Sequence, residues 1–460
     1  MDKITVREKT ALYTLKGFIT IVFTASLYYI WVKFYNPTIP TPFYRQGNYL
    51  LTAVFLVAYL GFTKIYGAFN IGSAPLVDII YSQVVSVGFL TGVAYITFSL
   101  LSYKMLNIFP FAAIFLLFSV FAALWSFVTD AVYFKIHAPK KTLVVFNNYD
   151  SYLSLKGIRS MDRRFNVVET VNSENISLND IYEKVDRVKA VFLCGVPSDY
   201  RNEIVKYCIA TNRVAYVKPK ISDCILRGGK TIQLMNVPVY RCKRNSSSIL
   251  YQGIKRAFDV IISVVGIIIT SPVTAATAIA IKKEDGGPVF YRQKRLTYNG
   301  KEFYVFKFRS MRVNAEKDGV ARLASDNDDR ITKVGGIIRK MRIDELPQLL
   351  NILKGDMSFV GPRPERPEIA AQYEKEMPEF ALRLQVKAGL TGYAQIYGKY
   401  NTPPYDKVLM DLMYIANQSV IEDLRLIIMT LKIVFTPSST EGIQDGQITA
   451  QNHENPNDEN

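Results

Sequence analysis

The sequence predicts a membrane protein of mixed class: four transmembrane helices, a Rossmann-like cytosolic α/β domain, and an α+β domain carrying a re-entrant membrane helix. Three observations predict it. Four long apolar stretches fill the first 135 residues, short β-rich runs alternate with helical ones from Thr142 to about Cys242, and a fifth apolar run at 257–281 is bracketed by basic residues. These patterns divide the chain into a transmembrane region at 1–140, the α/β domain at 141–244, a third domain at 245–436 with its re-entrant helix at 255–281, and a tail at 437–460.

The N-terminal stretches lie near 15–31, 49–62, 77–101 and 108–133. A bilayer core of ~30 Å needs ~20 apolar residues per helix, so each reads as a span, the second only with its flanks. With the N-terminus inside, Lys3, Arg7, Lys9, Lys16, Lys64, Lys135, Lys140 and Lys141 face the cytosol and Lys33, Arg45 and Lys104 face outward, eight against three. Cytoplasmic loops carry such an excess of basic residues, which places everything after Lys141 in the cytosol. The first stretch is long and lacks a small-residue cleavage site, so it reads as a retained span rather than a signal peptide.

The middle segment contains the runs LVVF, NVVET, AVFLC and VAYVK, separated by helical stretches such as 203–211. Alternating strands and helices predict a small parallel sheet. Its first strand leads into Asn147-Asn148-Tyr149-Asp150, with no glycine loop to admit a pyrophosphate. A scaffold or regulatory module is therefore favoured over a cofactor site. Cys194, Cys208, Cys224 and Cys242 show no CxxC spacing and no histidine neighbours, which points to free thiols in a reducing compartment. After a polar linker at 245–248 comes a segment dense in Arg, Gly and Pro, and then the polar, acidic tail, whose composition predicts disorder.

The run at 257–281 is long enough to cross a membrane, yet Lys255 and Arg256 precede it and Lys282 and Lys283 follow it. Basic residues at both ends disfavour placing either end outside. At its middle, Ser271-Pro272 predicts a kink, because proline removes a donor and clashes with the preceding turn. A helix that dips into one leaflet and returns satisfies both features; an ordinary kinked span would strand the following arginines outside the cell.

Those arginines are numerous. Arg292, Arg295, Lys307, Arg309, Arg312, Arg330, Arg339, Arg342, Arg363 and Arg366 fall within 287–366. Planar guanidinium forks suit phosphate oxygens, so the cluster suggests a diphosphate ligand, or a basic face on anionic lipid, or both. Within it, residues 342–355 read as a helix with Asp344 at the start and Gly355 at the stop. Asp344 is then an ordinary N-cap. Beside Arg339 and Arg342 it is equally an oriented, ionised carboxylate suited to metal binding or attack on phosphorus. Glu345 offers a hard oxygen for Mg²⁺, and Gly361-Pro362-Arg363-Pro364 forms a stiff turn that can hold Arg363 against the same phosphates.

The motifs KRAFD (255–259), SP (271–272), FKFRSM (306–311), DRITKVG (329–335), DELPQLLNILKGDMSFVGPRPE (344–365) and GLTGYAQIYG (389–398) resemble, in their order, the bacterial sugar transferase family of monotopic phosphoglycosyl transferases. The N-terminal helices and middle domain are similar to its larger members, which begin capsule, O-antigen or exopolysaccharide synthesis. The resemblance implies a two-step transfer at the cytosolic face of the bacterial cytoplasmic membrane. Asp344 attacks the sugar-bearing phosphorus of a UDP-sugar, UMP leaves, and undecaprenyl phosphate takes the phosphosugar from the aspartyl intermediate. It also implies that Glu345 holds Mg²⁺, that Lys307, Arg309, Arg342 and Arg363 meet phosphate, and that Lys255, Arg256, Asp259, Ser271 and Pro272 belong to the re-entrant helix. Asp411 matches an acidic position near the active site; by helical spacing alone it is as well a solvated aspartate. The sequence departs from the family at Tyr393, where Trp is usual, and at Lys399, where Arg is common, so the phosphate contact there loses bidentate geometry. Membrane lipids are expected partners, as is a second copy in a homodimer; nucleic acid is not.

Two rivals set the bounds. A processive membrane glycosyltransferase could use the acidic run at 326–329 as its metal site, but both tryptophans, Trp31 and Trp125, lie in the membrane part, so its Gln-x-x-Arg-Trp signature is missing. A non-enzymatic anchor gripping anionic lipid or nucleic acid would use the +16 charge and the aromatic-basic FKFRSM segment, and would release no UMP from UDP-sugars.

Overall fold

The computed structural model describes residues 3–147, 163–234, 237–244, 247–313, 330–398 and 402–434, in two compact units that divide after Lys218. The first unit opens with four long helices, α1 (Lys3–Ile30), α2 (Arg45–Tyr66), α3 (Leu76–Leu101) and α4 (Phe109–Ile136). Their packing is inside-out relative to a water-soluble bundle. Ile21, Leu50, Leu117, Leu124 and Phe127 point outward, while Gln83, Ser86, Thr129 and Asp130 are buried. Several interior polar groups find partners, as an apolar medium favours, whereas the buried Thr129 hydroxyl has none among the described residues. Tyr59 donates to Gln83 at 3.0 Å, Gln83 donates to the Ala68 carbonyl at 3.2 Å, and Trp31 donates to Asn48 at 2.7 Å. Aromatic contacts fill the remainder, with Phe23 stacked on Phe118 at 4.6 Å.

The same unit continues with β1 (Lys140–Phe146), β2 (Phe165–Asn172), α5 (Leu178–Asp186), β3 (Ala190–Cys194), α6 (Ser198–Ala210) and β4 (Val214–Val217). The strands form a parallel sheet in the order β2-β1-β3-β4. Leu143, Val145, Val191 and Leu193 pack against Ile181, Val185 and Ile204 of the two helices, the pattern expected of central strands covered on a face by crossover helices. Arg163 donates to Asp130 of α4 at 3.0 Å and stacks on Phe134, giving that buried carboxylate its charge partner.

The second unit begins with α7 (Ile221–Arg227) and the hairpin β5 (Lys230–Leu234) and β6 (Val237–Arg241). The sequence pattern groups these residues with the α/β domain, up to 244. Here Ile221 and Cys224 bury themselves against Phe380, Val408 and Leu412, so 219–244 fall within the second unit. Next comes α8 (Ile249–Asp285), one unbroken helix of 37 residues with Pro272 inside it. The Ser271-Pro272 step does not interrupt the helix; Ser271 and Thr274 hydroxyls donate to the carbonyls of Ile268 and Ser271 and satisfy local acceptors. Among the described residues, five helices are long and apolar enough to cross a membrane, by length and composition.

The rest of the unit comprises β7 (Phe290–Leu296), β8 (Glu302–Phe308), α9 (Lys333–Lys340), α10 (Gln348–Lys354), β9 (Ser358–Val360), α11 (Pro367–Glu376), β10 (Gly389–Thr391), α12 (Tyr393–Tyr397), α13 (Pro404–Ala416) and α14 (Val420–Val434). Strands β7 and β8 pair antiparallel; β9 and β10 pair parallel. Their core joins Phe303, Val305, Leu349, Ile352, Phe359, Val360, Tyr414 and Leu426. The N-terminal half of α8 docks on it. Tyr251, Lys255 and Tyr414 all donate to Asp423, at 2.7, 2.8 and 2.7 Å, and Arg256 donates to the Ile352 and Leu353 carbonyls at the C-terminus of α10, both at 2.7 Å. Asp259 accepts from Ser358 and from the Phe359 amide.

Candidate active site

Strand β8 buries Phe303 and Val305, and the two-residue period carries Lys307 onto the same side. Opposite, Arg342 takes a left-handed conformation, φ 55°, rare and strained for a residue with a side chain. It leads into a 3₁₀ turn, Ile343–Glu345, which sets the two carboxylates beside the strand. Helix α10 starts only at Gln348, with Pro347 as its cap, so Asp344 lies in a turn ahead of the helix and does not cap it. Gly355, at φ 93°, ends the helix as its position suggests. Asn351 locks helix to strand: it accepts from the Phe306 amide at 2.9 Å and donates to the Tyr304 carbonyl at 2.7 Å.

The two neighbouring carboxylates meet different surroundings. Glu345 Oε1 accepts from Lys307 at 2.8 Å and Arg363 at 2.9 Å, and Arg342 stands 3.7 Å from Oε2. Burial works to raise the Glu345 carboxyl, but Lys307, Arg363 and Arg342 outweigh it and hold it well below the usual carboxylate range. Asp344 makes no hydrogen bond or ion pair with any described residue. Burial and the adjacent Glu345 charge push its carboxyl up to about 6, against the opposing pull of Lys307, Arg339 and Arg363. One turn therefore presents a clamped carboxylate and an open one.

The other residues singled out by sequence are distributed as follows. Lys307, Arg342 and Arg363 converge on Glu345. Arg309 turns away: buried, it pairs with Asp285 at the end of α8. Asp411 is neither solvated nor at Glu345; it is buried in an ion pair with Arg383 at 2.7 Å. Burial raises its carboxyl and Arg383 opposes the shift. Lys255, Arg256 and Asp259 fasten α8 to the core, while Ser271 and Pro272 are exposed on it. Lys399 and the acidic run at 326–329 lie outside the described residues. Tyr393 donates to Glu422 at 2.9 Å, so the hydroxyl serves as a donor where an indole would.

Sequence reasoning missed Asn351 and Arg383; Arg295, grouped there with the phosphate-facing cations, instead donates to the Pro364 carbonyl. Asn351 carried a signal, a polar residue inside the apolar stripe LLNIL. Arg383 carried none, since only the fold brings it to its partners.

Residues 250–437 match the family model described as bacterial sugar transferase. The chain is 37% identical over 227 residues to a UDP-N-acetylgalactosamine-undecaprenyl-phosphate N-acetylgalactosaminephosphotransferase of Aeromonas hydrophila, an alignment covering 44% of this chain and 53% of that protein. It is 39% identical over 204 residues to a UDP-glucose:undecaprenyl-phosphate glucose-1-phosphate transferase of Escherichia coli (strain K12), covering 43% and 44% respectively. Against a Caulobacter vibrioides protein of the same description it is 38% identical over 187 residues, 40% of this chain and 70% of that one. The chain thus spans about half the length of the first two relatives.

Proposed function

This chain belongs to the bacterial sugar transferase family, and on that premise we propose that it transfers a sugar phosphate from a UDP-sugar to undecaprenyl phosphate, releasing UMP and opening the synthesis of a capsule, O-antigen or exopolysaccharide. The contrast between Asp344 and Glu345 carries the reading. Lone pairs engaged by three cations are poor nucleophiles, whereas the unpaired, partly desolvated Asp344 is free to attack. In the first step a carboxylate oxygen of Asp344 bonds to the sugar-bearing phosphorus, and the bond to the bridging oxygen breaks, its electron pair leaving with UMP. In the second step an oxygen of undecaprenyl phosphate attacks the same phosphorus and the Asp344 bond breaks, restoring the carboxylate. Lys307, Arg342 and Arg363 neutralise the diphosphate and the charge that develops on it.

Mg²⁺ fits this site as an ion shared with substrate. Among the described residues no three His, Cys, Asp or Glu side chains group to hold a metal, so Glu345 Oε2, which lies outside the Lys307 and Arg363 hydrogen bonds to Oε1, would supply the protein oxygen and the diphosphate and water the rest. When bound, the ion would supply charge neutralisation to the departing phosphate. On this reading the site faces the cytosol, α1 to α4 cross as spans, and α8 enters one leaflet and would return by a bend at Pro272 within its continuous 37 residues. Both flanks of the α8 apolar run pack on one compact unit: Tyr251 and Lys255 on Asp423, and Ile281 on Phe308 and Ile338. A crossing helix would carry its ends to opposite sides of a core ~30 Å thick.

Membranes bearing the full chain are incubated with UDP-glucose, UDP-galactose and UDP-N-acetylated sugars, with undecaprenyl phosphate and Mg²⁺, and UMP is followed. UMP from at least one donor is expected, and a phosphosugar adduct on Asp344 when acceptor is withheld. No UMP from any donor overturns the activity; UMP without an adduct overturns the covalent route.

A further inference from the structure

The turn that presents Arg363 contains two prolines, Pro362 and Pro364, which have no N–H to hold it. Its carbonyls are held instead. Pro362 accepts from the Gly389 amide at 2.8 Å, Arg363 from the Arg383 guanidinium at 2.9 Å, Pro364 from Arg295 at 3.1 Å, and Glu365 from the Leu296 amide at 2.9 Å. Four successive acceptors are thus tied to the surrounding fold. At Arg363 itself the tie is a buried side chain, which also reaches Asp411 at 2.7 Å and lies over the Phe380 ring at 4.9 Å.

We propose that Arg383, anchored by Asp411, is a positioning residue that fixes Arg363 through its main chain, so that Asp411 acts behind the phosphate-binding cations rather than among them. Arg383 and Asp411 have side chains only 5% and 1% exposed, too enclosed to touch a diphosphate, whereas Arg363 is 45% exposed. The cavity beside them, lined by Pro362, Arg363, Phe380 and Arg383, has a volume of about 10 Å³, about one water and too small for a ligand. An arginine suits the task because it stays charged and its rigid planar fork aims one nitrogen, Nη2, at both the Asp411 carboxylate and the Arg363 carbonyl. Lysine at this position would keep the charge against Asp411 and lose the fork.

The inference rests on the reading of Arg363 as a phosphate-binding residue, and its test has two readouts on the full chain in detergent: UMP release, and the affinity for inorganic diphosphate. Arg363→Ala, Arg383→Lys and the double variant are compared, with Arg383→Gln as a stronger second lesion and thermal unfolding recorded for each. A misplaced cation costs about 10- to 100-fold, so each single variant should lose that much in kcat/KM and in diphosphate affinity. The double variant should fall no more than about threefold below Arg363→Ala, because Arg383 acts through it. Losses that multiply, or Arg383 variants that lower only the unfolding temperature, overturn the proposal. If no donor releases UMP while diphosphate binding still shows the non-additive pattern, the proposed activity fails and the positioning role stands. An unaltered chain that does not bind diphosphate overturns both.

Discussion

Two carboxylate sites in the second unit differ in one property. Around Glu345 the cations remain reachable, with Lys307, Arg342 and Arg363 side chains 21%, 29% and 45% exposed. At Asp411 the paired cation, Arg383, is only 5% exposed. A half-exposed guanidinium can exchange its carboxylate for an incoming phosphate and be compensated by water meanwhile. A buried one cannot leave its partner without stranding a charge in low dielectric. Burial, more than the number of arginines, therefore separates the ligand-binding cations from those that build the site. By the same criterion Arg309, buried on Asp285, belongs with the architecture.

The comparison breaks most sharply at the turn itself. Asp344→Asn removes the nucleophile and should lower UMP release by at least about a thousandfold with unchanged membrane insertion and unfolding temperature; more than a few per cent residual turnover would reject Asp344 in that role. The deep pair should respond in the other currency. Asp411→Asn leaves Arg383 buried beside a neutral amide, and breaking a buried pair costs about 3–5 kcal/mol, so a denaturant titration should show a large loss of stability; a shift of less than about 1 kcal/mol would deny the two sites their difference. Glu345→Gln, by contrast, should leave stability nearly intact while lowering turnover by about a hundredfold and flattening the Mg²⁺ titration. An unchanged metal dependence would remove Glu345 from the metal site. The smallest effect is that of pH. Asp344 must be ionised to attack and its carboxyl titrates at about 6, so kcat/KM should fall about tenfold per unit below that value and level off above it. A profile flat down to pH 4.5 would disconnect the reaction from Asp344.

Much of this was legible without coordinates where the information is local. The apolar stretches near 77–101 and 108–133 became Leu76–Leu101 and Phe109–Ile136, and the run AVFLC became Ala190–Cys194, because length and period depend on neighbours in the chain. The grouping of Arg342 and Arg363 near the Asp344-Glu345 pair was readable from the DELP and GPRP motifs, whereas Lys307 was placed with them only by the family resemblance. Boundaries set by long-range packing were not: α7 leaves the parallel sheet's unit because Ile221 and Cys224 find their cover far onward in the chain, at Phe380 and Val408.

What the sequence alone determined is the list of chemical groups and their local conformation: long apolar helices, a parallel sheet, adjacent carboxylates near a helix start, and an abundance of guanidinium. What only the tertiary structure decided is which of those guanidiniums still face water. The strained Arg342 backbone, the late start of α10 and the Arg383–Asp411 pair behind the proline turn arise from contacts between segments distant along the chain, and burial is a property of those contacts that no single segment carries.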